Sequence, residues 1–134
     1  MKKIIIIILI LPLFLFCSFK KKEKPYIILS SGSISLEYVK RIERGFSANQ
    51  RINYALVAPD GFKTPGIRLQ ISKQDEKTSN WGFSIIQSRD LYLDLAQNIY
   101  RDYIYIQRPG RYILQFFYLN NKDYPFAHKE FLVQ

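Results

Sequence analysis

Apolar and polar residues alternate over most of the chain beyond residue 50, which is the pattern of half-buried β-strands. The first clear set is Ile52, Tyr54 and Leu56, and it ends at the turn-forming triplet Pro59-Asp60-Gly61. Further sets occur at Ile67, Leu69 and Ile71, at Trp81, Phe83 and Ile85, at Leu91, Leu93 and Leu95, at Ile104 and Ile106, and over Ala127 to Val133. Residues 112–119 are apolar on both faces except for Gln115, as in a central strand. Short strands at this spacing predict an all-β sandwich or barrel.

Two segments fit either a helix or a strand. Residues 35–45 space Leu36, Val39 and Ile42 by three and end at a glycine, as a helix does, but Ile34, Leu36 and Tyr38 also alternate. Residues 88–103 repeat an apolar residue every four positions and also contain the alternating leucines 91, 93 and 95. Because the neighbouring segments are strands, we favour strands for both.

The chain begins with a short apolar leader. Met1 to Lys3 form a charged start, and Ile4 to Phe16 is a run of 13 residues that is apolar apart from Pro12. This is the architecture of a secretory signal peptide, and it is shorter than the roughly 20 residues of a spanning helix. We therefore expect residues 1–16 to be a cleaved signal peptide.

Cys17 directly follows this leader and is the only cysteine in the chain. Two lysines, a short Ile/Leu core and Cys followed by Ser18 resemble a bacterial lipoprotein signal, in which cleavage precedes the cysteine and the cysteine carries the lipid. The resemblance covers about 25 residues, and Phe16 stands where such signals usually have a small residue. It implies lipid attachment (palmitate) at Cys17. In the other interpretation Cys17 is one more apolar residue of the leader.

The positive charge of the chain is concentrated before the folded region. The chain carries a net charge of +9, but Lys2 and Lys3 lie in the leader, and residues 17–25 form a tether with four lysines and one glutamate. Residues 26–134 hold 14 basic and 10 acidic residues and so contribute only +4. The charge therefore favours an anionic membrane surface as partner and not nucleic acid, although a merely solvated spacer explains the tether equally well.

The segment Arg108-Pro109-Gly110-Arg111-Tyr112 leads into the longest apolar strand. It resembles the turn before the penultimate strand of immunoglobulin-like sandwiches, where a tyrosine hydroxyl caps the corner. The resemblance implies that residues 26–134 form one immunoglobulin-like antiparallel β-sandwich, with Pro109, Gly110 and Tyr112 at a structural corner. Leu114 stands where antibody domains have a cysteine, which excludes a true antibody-type domain.

The chain lacks a recognisable catalytic constellation. His128 is the only histidine, and no cysteine other than Cys17 is available, so we predict no metal site and no cofactor. Asp90 and Asp94 would lie about 13 Å apart on one strand, which is too far for a glycosidase pair. We therefore expect a protein that is not an enzyme and has no catalytic residues.

Three tyrosines are out of phase with the apolar sets and define a candidate binding surface: Tyr92, Tyr103 and Tyr105, with Arg101 and Arg89 near them. Exposed aromatics beside arginine are typical of protein interfaces and of sugar-binding faces. Ordinary cross-strand packing is the alternative.

Taken with the leader, this predicts an envelope lipoprotein, exported and membrane-anchored, at the outer membrane with a periplasmic or surface location. Its domain would bind another macromolecule, a protein or a glycan, or serve as an assembly component. The alternative is a carbohydrate-binding module or surface adhesin, for which Trp81 is the one tryptophan.

Overall fold

The computed structural model describes residues 20–35, 45–75 and 82–134, all of which are strand, turn or irregular structure without a helix. Cys17, Trp81 and most of the ambiguous segment 35–45 lie outside the described residues. The described residues form eight strands: β1 (Tyr26–Ser30), β2 (Gly45–Phe46), β3 (Arg51–Val57), β4 (Gly66–Gln74), β5 (Phe83–Tyr92), β6 (Ile99–Tyr105), β7 (Gly110–Tyr118) and β8 (Ala127–Val133). The predicted all-β class is confirmed.

The strands form two sheets. One has the order β1-β3-β6 and the other the order β2-β8-β7-β4-β5. This order corresponds to strands A-B-E of an immunoglobulin-like sandwich opposite strands G-F-C-C′, with β2 added beside β8. Every pairing is antiparallel except the short one between β2 and β8, which is parallel and which the prediction of an antiparallel sandwich did not include.

The core lies between the sheets and is built from the alternating sets. Ile52, Tyr54 and Leu56 of β3 are fully buried, as are Ile67, Leu69 and Ile71 of β4. Strand β7 lies between β4 and β8, as the apolar character of residues 112–119 predicts. Burial of each such large apolar side chain stabilises the fold by roughly 1.5 to 3 kcal/mol.

The region between residues 83 and 105 differs from the prediction in detail. The Trp81 and Leu91 sets do not belong to separate strands, because β5 is continuous from Phe83 to Tyr92. Leu93 lies beyond the strand and is buried, and Leu95 is exposed in a turn. Asp94 stabilises this turn, since its carboxylate accepts from Ala96 N and its carbonyl from Gln97 N. The helix alternative for residues 88–103 is therefore wrong.

Strand β1 was not predicted. Its five residues, Tyr26 to Ser30, pair with β3 over the whole of their length, and Ile27 and Leu29 enter the core. The alternation predicted just after it, at Ile34, does not form a strand at residues 31–35.

Candidate binding face

The four residues predicted to form one surface lie in two different sheets. Tyr103, Tyr105 and Arg101 belong to β6 in the three-stranded sheet, whereas Tyr92 ends β5 in the five-stranded sheet. The connection between β5 and β6 crosses from one sheet to the other instead of forming a hairpin. Tyr92 therefore belongs to the opposite side of the sandwich, and the prediction of a single patch that includes it is wrong.

The remaining residues share the outer face of the three-stranded sheet. The pairing of β3 with β6 aligns Arg51 with Tyr105, Asn53 with Tyr103 and Ala55 with Arg101. The residues between them, such as Tyr54 and Ile104, point into the core, so these pairs lie on the outer face of the sheet, where the small Ala55 side chain is nevertheless covered. We call this surface the aromatic–arginine face; its members are Arg51, Asn53, Arg101, Tyr103 and Tyr105.

Direct contacts hold four of these side chains together. The Arg51 guanidinium lies 4.1 Å from the centroid of the Tyr103 ring, which is cation–π geometry. Arg51 Nε also donates to Asn53 Oδ1 at 3.0 Å. The Tyr103 and Tyr105 rings meet edge to face, with centroids 5.5 Å apart and planes at 76°. Tyr103 is nevertheless 41% exposed and Tyr105 55%, so the face is ordered but accessible.

A groove of about 600 Å³ borders the aromatic–arginine face. The chain just after β1, Gly32 to Ile34, forms one wall, and Arg51, Asn53 and Tyr103 are among the residues of the other. Asn53 Nδ2 donates to the Gly32 carbonyl at 2.7 Å, which fixes the position of that wall. The face therefore combines an exposed aromatic area with a polar depression beside it.

Asp102 lies on the inner side of β6 and helps to position the aromatic–arginine face. Its carboxylate accepts from Arg89 Nη2 of β5 at 2.9 Å and from the Tyr100 hydroxyl at 3.4 Å. Its other oxygen accepts from Tyr103 N at 2.9 Å. Arg89, predicted to lie near the surface tyrosines, thus lies partly between the sheets and helps to position the backbone of Tyr103.

Tyr54 is buried beside this cluster. Its hydroxyl and Arg89 Nε are both buried, interact electrostatically, and make no hydrogen bond with the described residues. Burial raises the pKa of the Tyr54 phenol far above its ordinary value, and nearby Tyr100 and Asp102 raise it further. Burial likewise raises the pKa of Tyr100. Both phenols are therefore neutral at physiological pH.

The predicted corner residues lie where the connection from β6 enters β7. Tyr112 Oη donates to the Arg108 carbonyl at 2.6 Å, which is the hydrogen bond of a tyrosine corner. Gly110 has a φ of +149°, a conformation that other residues rarely adopt, and follows Pro109 in the turn. The Tyr112 ring stacks on Phe131 with centroids 5.6 Å apart, and burial raises the pKa of the Tyr112 phenol. These residues shape the fold and lie apart from the groove.

The acidic residues considered for catalysis have structural contacts. Asp90 forms a two-bond ion pair with Arg68, which lowers the pKa of its carboxyl, the opposite of what a general acid requires. Asp94 caps its turn, and His128 is exposed on β8. Over residues 20–35, 45–75 and 82–134, no group of three or more His, Cys, Asp and Glu side chains is arranged to hold a metal ion.

The same described residues include no helix of the length and apolarity that crossing a membrane requires.

Sequence reasoning missed Arg51 and Asn53. Both are out of phase with Ile52 and Tyr54 in the first alternating set, so the sequence contains the signal that they face outward. It does not contain the pairing of β3 with β6, which brings them beside Tyr103 and Tyr105.

Comparison with known proteins adds information about the fold alone. No protein-family model matches the chain, and no curated protein is significantly similar to it. Among solved structures, the crystal structure of the PmoD soluble domain from Methylocystis sp. ATCC 49242 (Rockwell) is similar, with a TM-score of 0.51 and 12% identity. The alignment covers 82% of this chain and 90% of that one. At this identity the similarity extends to the β-sandwich and not to function.

Proposed function

We propose that this protein is a lipoprotein of the bacterial cell envelope, anchored through Cys17, which binds another protein through the aromatic–arginine face and catalyses no reaction. The observation that carries the binding role is the cluster of Arg51, Tyr103 and Tyr105, which is held in place by mutual contacts yet remains accessible. Tyrosine and arginine are the residues that most often dominate the energy of protein interfaces. Because the cluster is already ordered, little side-chain entropy is lost on binding.

The charge of the face favours an acidic partner surface. Arg51 and Arg101 are outward-facing members, and the outward positions of β1, β3 and β6 include no acidic residue. Asp102 points the other way, toward Arg89. Charge complementarity of this kind raises the association rate and makes binding sensitive to salt.

The geometry of the rings favours a protein over a glycan. Sugar rings stack on aromatic rings that offer an open face, ideally with several rings in one plane. Here the Tyr103 and Tyr105 rings are nearly perpendicular, and the Arg51 guanidinium covers one face of Tyr103. A carbohydrate-binding module remains the alternative for a surface that includes Trp81, which lies outside the described residues.

A comparison of variants tests the binding role. We expect the double change Tyr103→Ser and Tyr105→Ser to weaken partner binding at least ~30-fold, the factor that corresponds to removal of an interface hot spot. The matched control is Tyr92→Ser, which removes a still more exposed tyrosine from the other sheet and should leave binding unchanged. Solubilised full-length chains are compared for the proteins recovered from envelope extracts, with thermal unfolding as a check of folding. Equal recovery of partner proteins by the double variant and the control would reject the aromatic–arginine face as the binding surface.

Two further measurements address the rest of the proposal. Cys17→Ser should release the protein from the membrane fraction, and continued membrane association of that variant would contradict the lipid anchor. Incubation of the full chain with a glycan array should give no specific signal; a signal lost with Tyr103→Ser would favour the carbohydrate-binding alternative.

A further inference from the structure

Three loops meet at one end of the sandwich. The loop 58–65 contacts the turn 93–98 through the bond from Ala58 N to the Asn98 carbonyl, and Leu93 N donates to the Pro65 carbonyl. The loop 119–126 joins them, because Leu119 N donates to the Gly66 carbonyl and Lys63 N to Tyr118 Oη. We call this end of the molecule the tether end.

The N-terminal tether reaches the domain at this end. Tyr26, the first residue of β1, pairs with Val57, the last residue of β3. Before it, Glu23 N donates to Asp60 Oδ2 in the loop 58–65 at 2.9 Å. The tether therefore runs along the tether end before β1 begins.

Aromatic, aliphatic and cationic side chains are exposed together at the tether end. Tyr92 is 78% exposed and Tyr124 80%, and Tyr26 and Leu95 are also exposed. Lysines accompany them: Lys20, Lys21, Lys22, Lys24, Lys63 and Lys122. Tyrosine is enriched at membrane interfaces, and lysines beside an anchor are attracted to anionic lipid headgroups.

We propose that the tether end is a membrane-contacting surface, which rests on the headgroups of an anionic lipid bilayer. This inference depends on the proposed lipid anchor at Cys17. Glu23 is six residues beyond Cys17, and an extended chain spans at most about 3.3–3.6 Å per residue, so Glu23, which is bonded to Asp60, lies within roughly 20 Å of the anchored residue. The anchor thus holds the tether end, and no other end of the domain, beside the bilayer.

This orientation leaves the aromatic–arginine face free. Tyr105 and Arg51 form the pair farthest from the tether end in the β3–β6 ladder, and the seven residues of β6 span roughly 20 Å. The face would therefore project away from the lipid, where a partner protein can approach it. Tyr92, which does not belong to that face, acquires a separate role in lipid contact.

Single-cysteine labelling tests the orientation. In the acylated chain Cys17 carries the lipid, so a cysteine introduced elsewhere is the one free thiol. A fluorescent probe is attached at Asp123→Cys in the loop 119–126, which retains Tyr124, or at Gln107→Cys, an exposed position at the opposite end. The full-length acylated proteins are incorporated into vesicles of phosphatidylglycerol and phosphatidylcholine that contain brominated lipid, which quenches fluorescence on contact.

We expect loss of most of the fluorescence at Asp123→Cys and no loss at Gln107→Cys. Equal quenching at the two positions, or none at either in vesicles that have bound the protein, would overturn the proposed orientation while leaving the anchor intact. Failure of the acylated chain to sediment with vesicles would refute the anchor itself, and this inference with it. The proposed protein-binding role is tested separately, by recovery of partner proteins.

A charge variant tests the lipid chemistry. Replacement of Lys20, Lys21, Lys22 and Lys24 by glutamine should reduce quenching at Asp123→Cys in anionic vesicles to the level found in pure phosphatidylcholine. Unchanged quenching would overturn the role of anionic headgroups. Sedimentation with the vesicles should be retained, because the lipid on Cys17 remains.

Discussion

Arg89 of β5 and Asp102 of β6 form an ion pair, with Nη2 2.9 Å from Oδ2, that joins the two sheets of the sandwich. β5 pairs with β4 and β6 pairs with β3, so each of these strands ends its sheet within the described part of the chain. The pair bridges the side of the molecule where both sheets end. The side chains are 38% and 27% exposed, so the pair is screened by solvent only in part.

Asp102→Asn should therefore destabilise the fold. Asparagine keeps the shape and can still accept from Tyr103 N, but it removes the charge that compensates Arg89. A hydrogen bond to a charged group contributes about 1.5–3 kcal/mol, and partial exposure reduces this to a loss of about 1–2 kcal/mol. Urea unfolding measures the change.

The control for this prediction is Asp90→Asn, which breaks the ion pair with Arg68. That pair lies within one sheet and is exposed to solvent, so its loss should move the urea midpoint less. Equal shifts of the urea midpoint for the two variants would show that the ion pair between the sheets stabilises the fold no more than the exposed pair within one sheet.

Tyr112→Phe should destabilise the fold by about 1 kcal/mol, because it removes the hydrogen bond to the Arg108 carbonyl and keeps the ring stacked on Phe131. Tyr92→Phe, which removes an exposed hydroxyl, should leave stability unchanged. Thermal unfolding compares the two. If Tyr112→Phe lost no more thermal stability than Tyr92→Phe, the result would contradict a stabilising role of the hydrogen bond from Tyr112 to Arg108.

Alkaline pH should destabilise the protein through Tyr54. The folded state raises the pKa of this phenol above its ordinary value of 10.0, so the folded protein keeps a proton that the unfolded chain loses. Stability is therefore unaffected below pH 10 and falls as the pH rises above it, by roughly 1.4 kcal/mol per pH unit for one such group. Urea unfolding between pH 8 and about 11.5 measures the slope.

Tyr54→Phe is the variant that tests this assignment. It should flatten the alkaline slope without abolishing it, because burial also raises the pKa values of Tyr100 and Tyr112. At neutral pH it should cost little stability, since the buried Tyr54 hydroxyl makes no hydrogen bond with the described residues. An unchanged alkaline slope would assign the effect to other tyrosines.

Gly110→Ala should destabilise the corner by about 1–3 kcal/mol, the usual range for a side chain forced into a glycine-only backbone region. At a φ of +149° the added Cβ would also lie 2.6 Å from Lys73 Cε, which would have to move. Gly45→Ala is the control, because a Cβ there would meet no atom of the described residues within 4 Å. Chemical unfolding of both variants should show a loss for Gly110→Ala alone.

The phase of alternation predicts burial but not the neighbour of a strand. Ile52, Tyr54 and Leu56 enter the core as their spacing indicates, because side chains in a strand alternate between its faces. The same rule shows that Tyr92 and Tyr103 are out of phase with the core. It cannot show that they lie on opposite outer faces, because that depends on long-range pairing of β5 with β4 and β6 with β3.

Local patterns also fail where tertiary contacts decide the structure. The alternation of Leu91 and Leu93 continues past the end of β5, where Leu93 is buried and its N–H donates to the Pro65 carbonyl in the register of the β4–β5 pair. Pro65 has no N–H to return the bond, so the strand pairing ends there. Strand β1 is short, and its Tyr-Ile-Ile-Leu run is continuously apolar, so the alternation that marks the other strands does not identify it. The corner at Tyr112 was recognisable because its motif is local.

The bond from Tyr103 N to Asp102 Oδ1 has a consequence for solubility. Ala58 N donates to the Asn98 carbonyl, so by the alternation of an antiparallel ladder the N–H of Tyr103 points away from β3, toward the free edge of β6. An unpaired strand edge is a template on which another chain can add a strand and start aggregation. Here the donor at the centre of the edge is already occupied by a carboxylate of the same chain, which an incoming strand would have to displace. Asp102 thus disfavours edge-to-edge association of β6 between copies of the protein at high concentration.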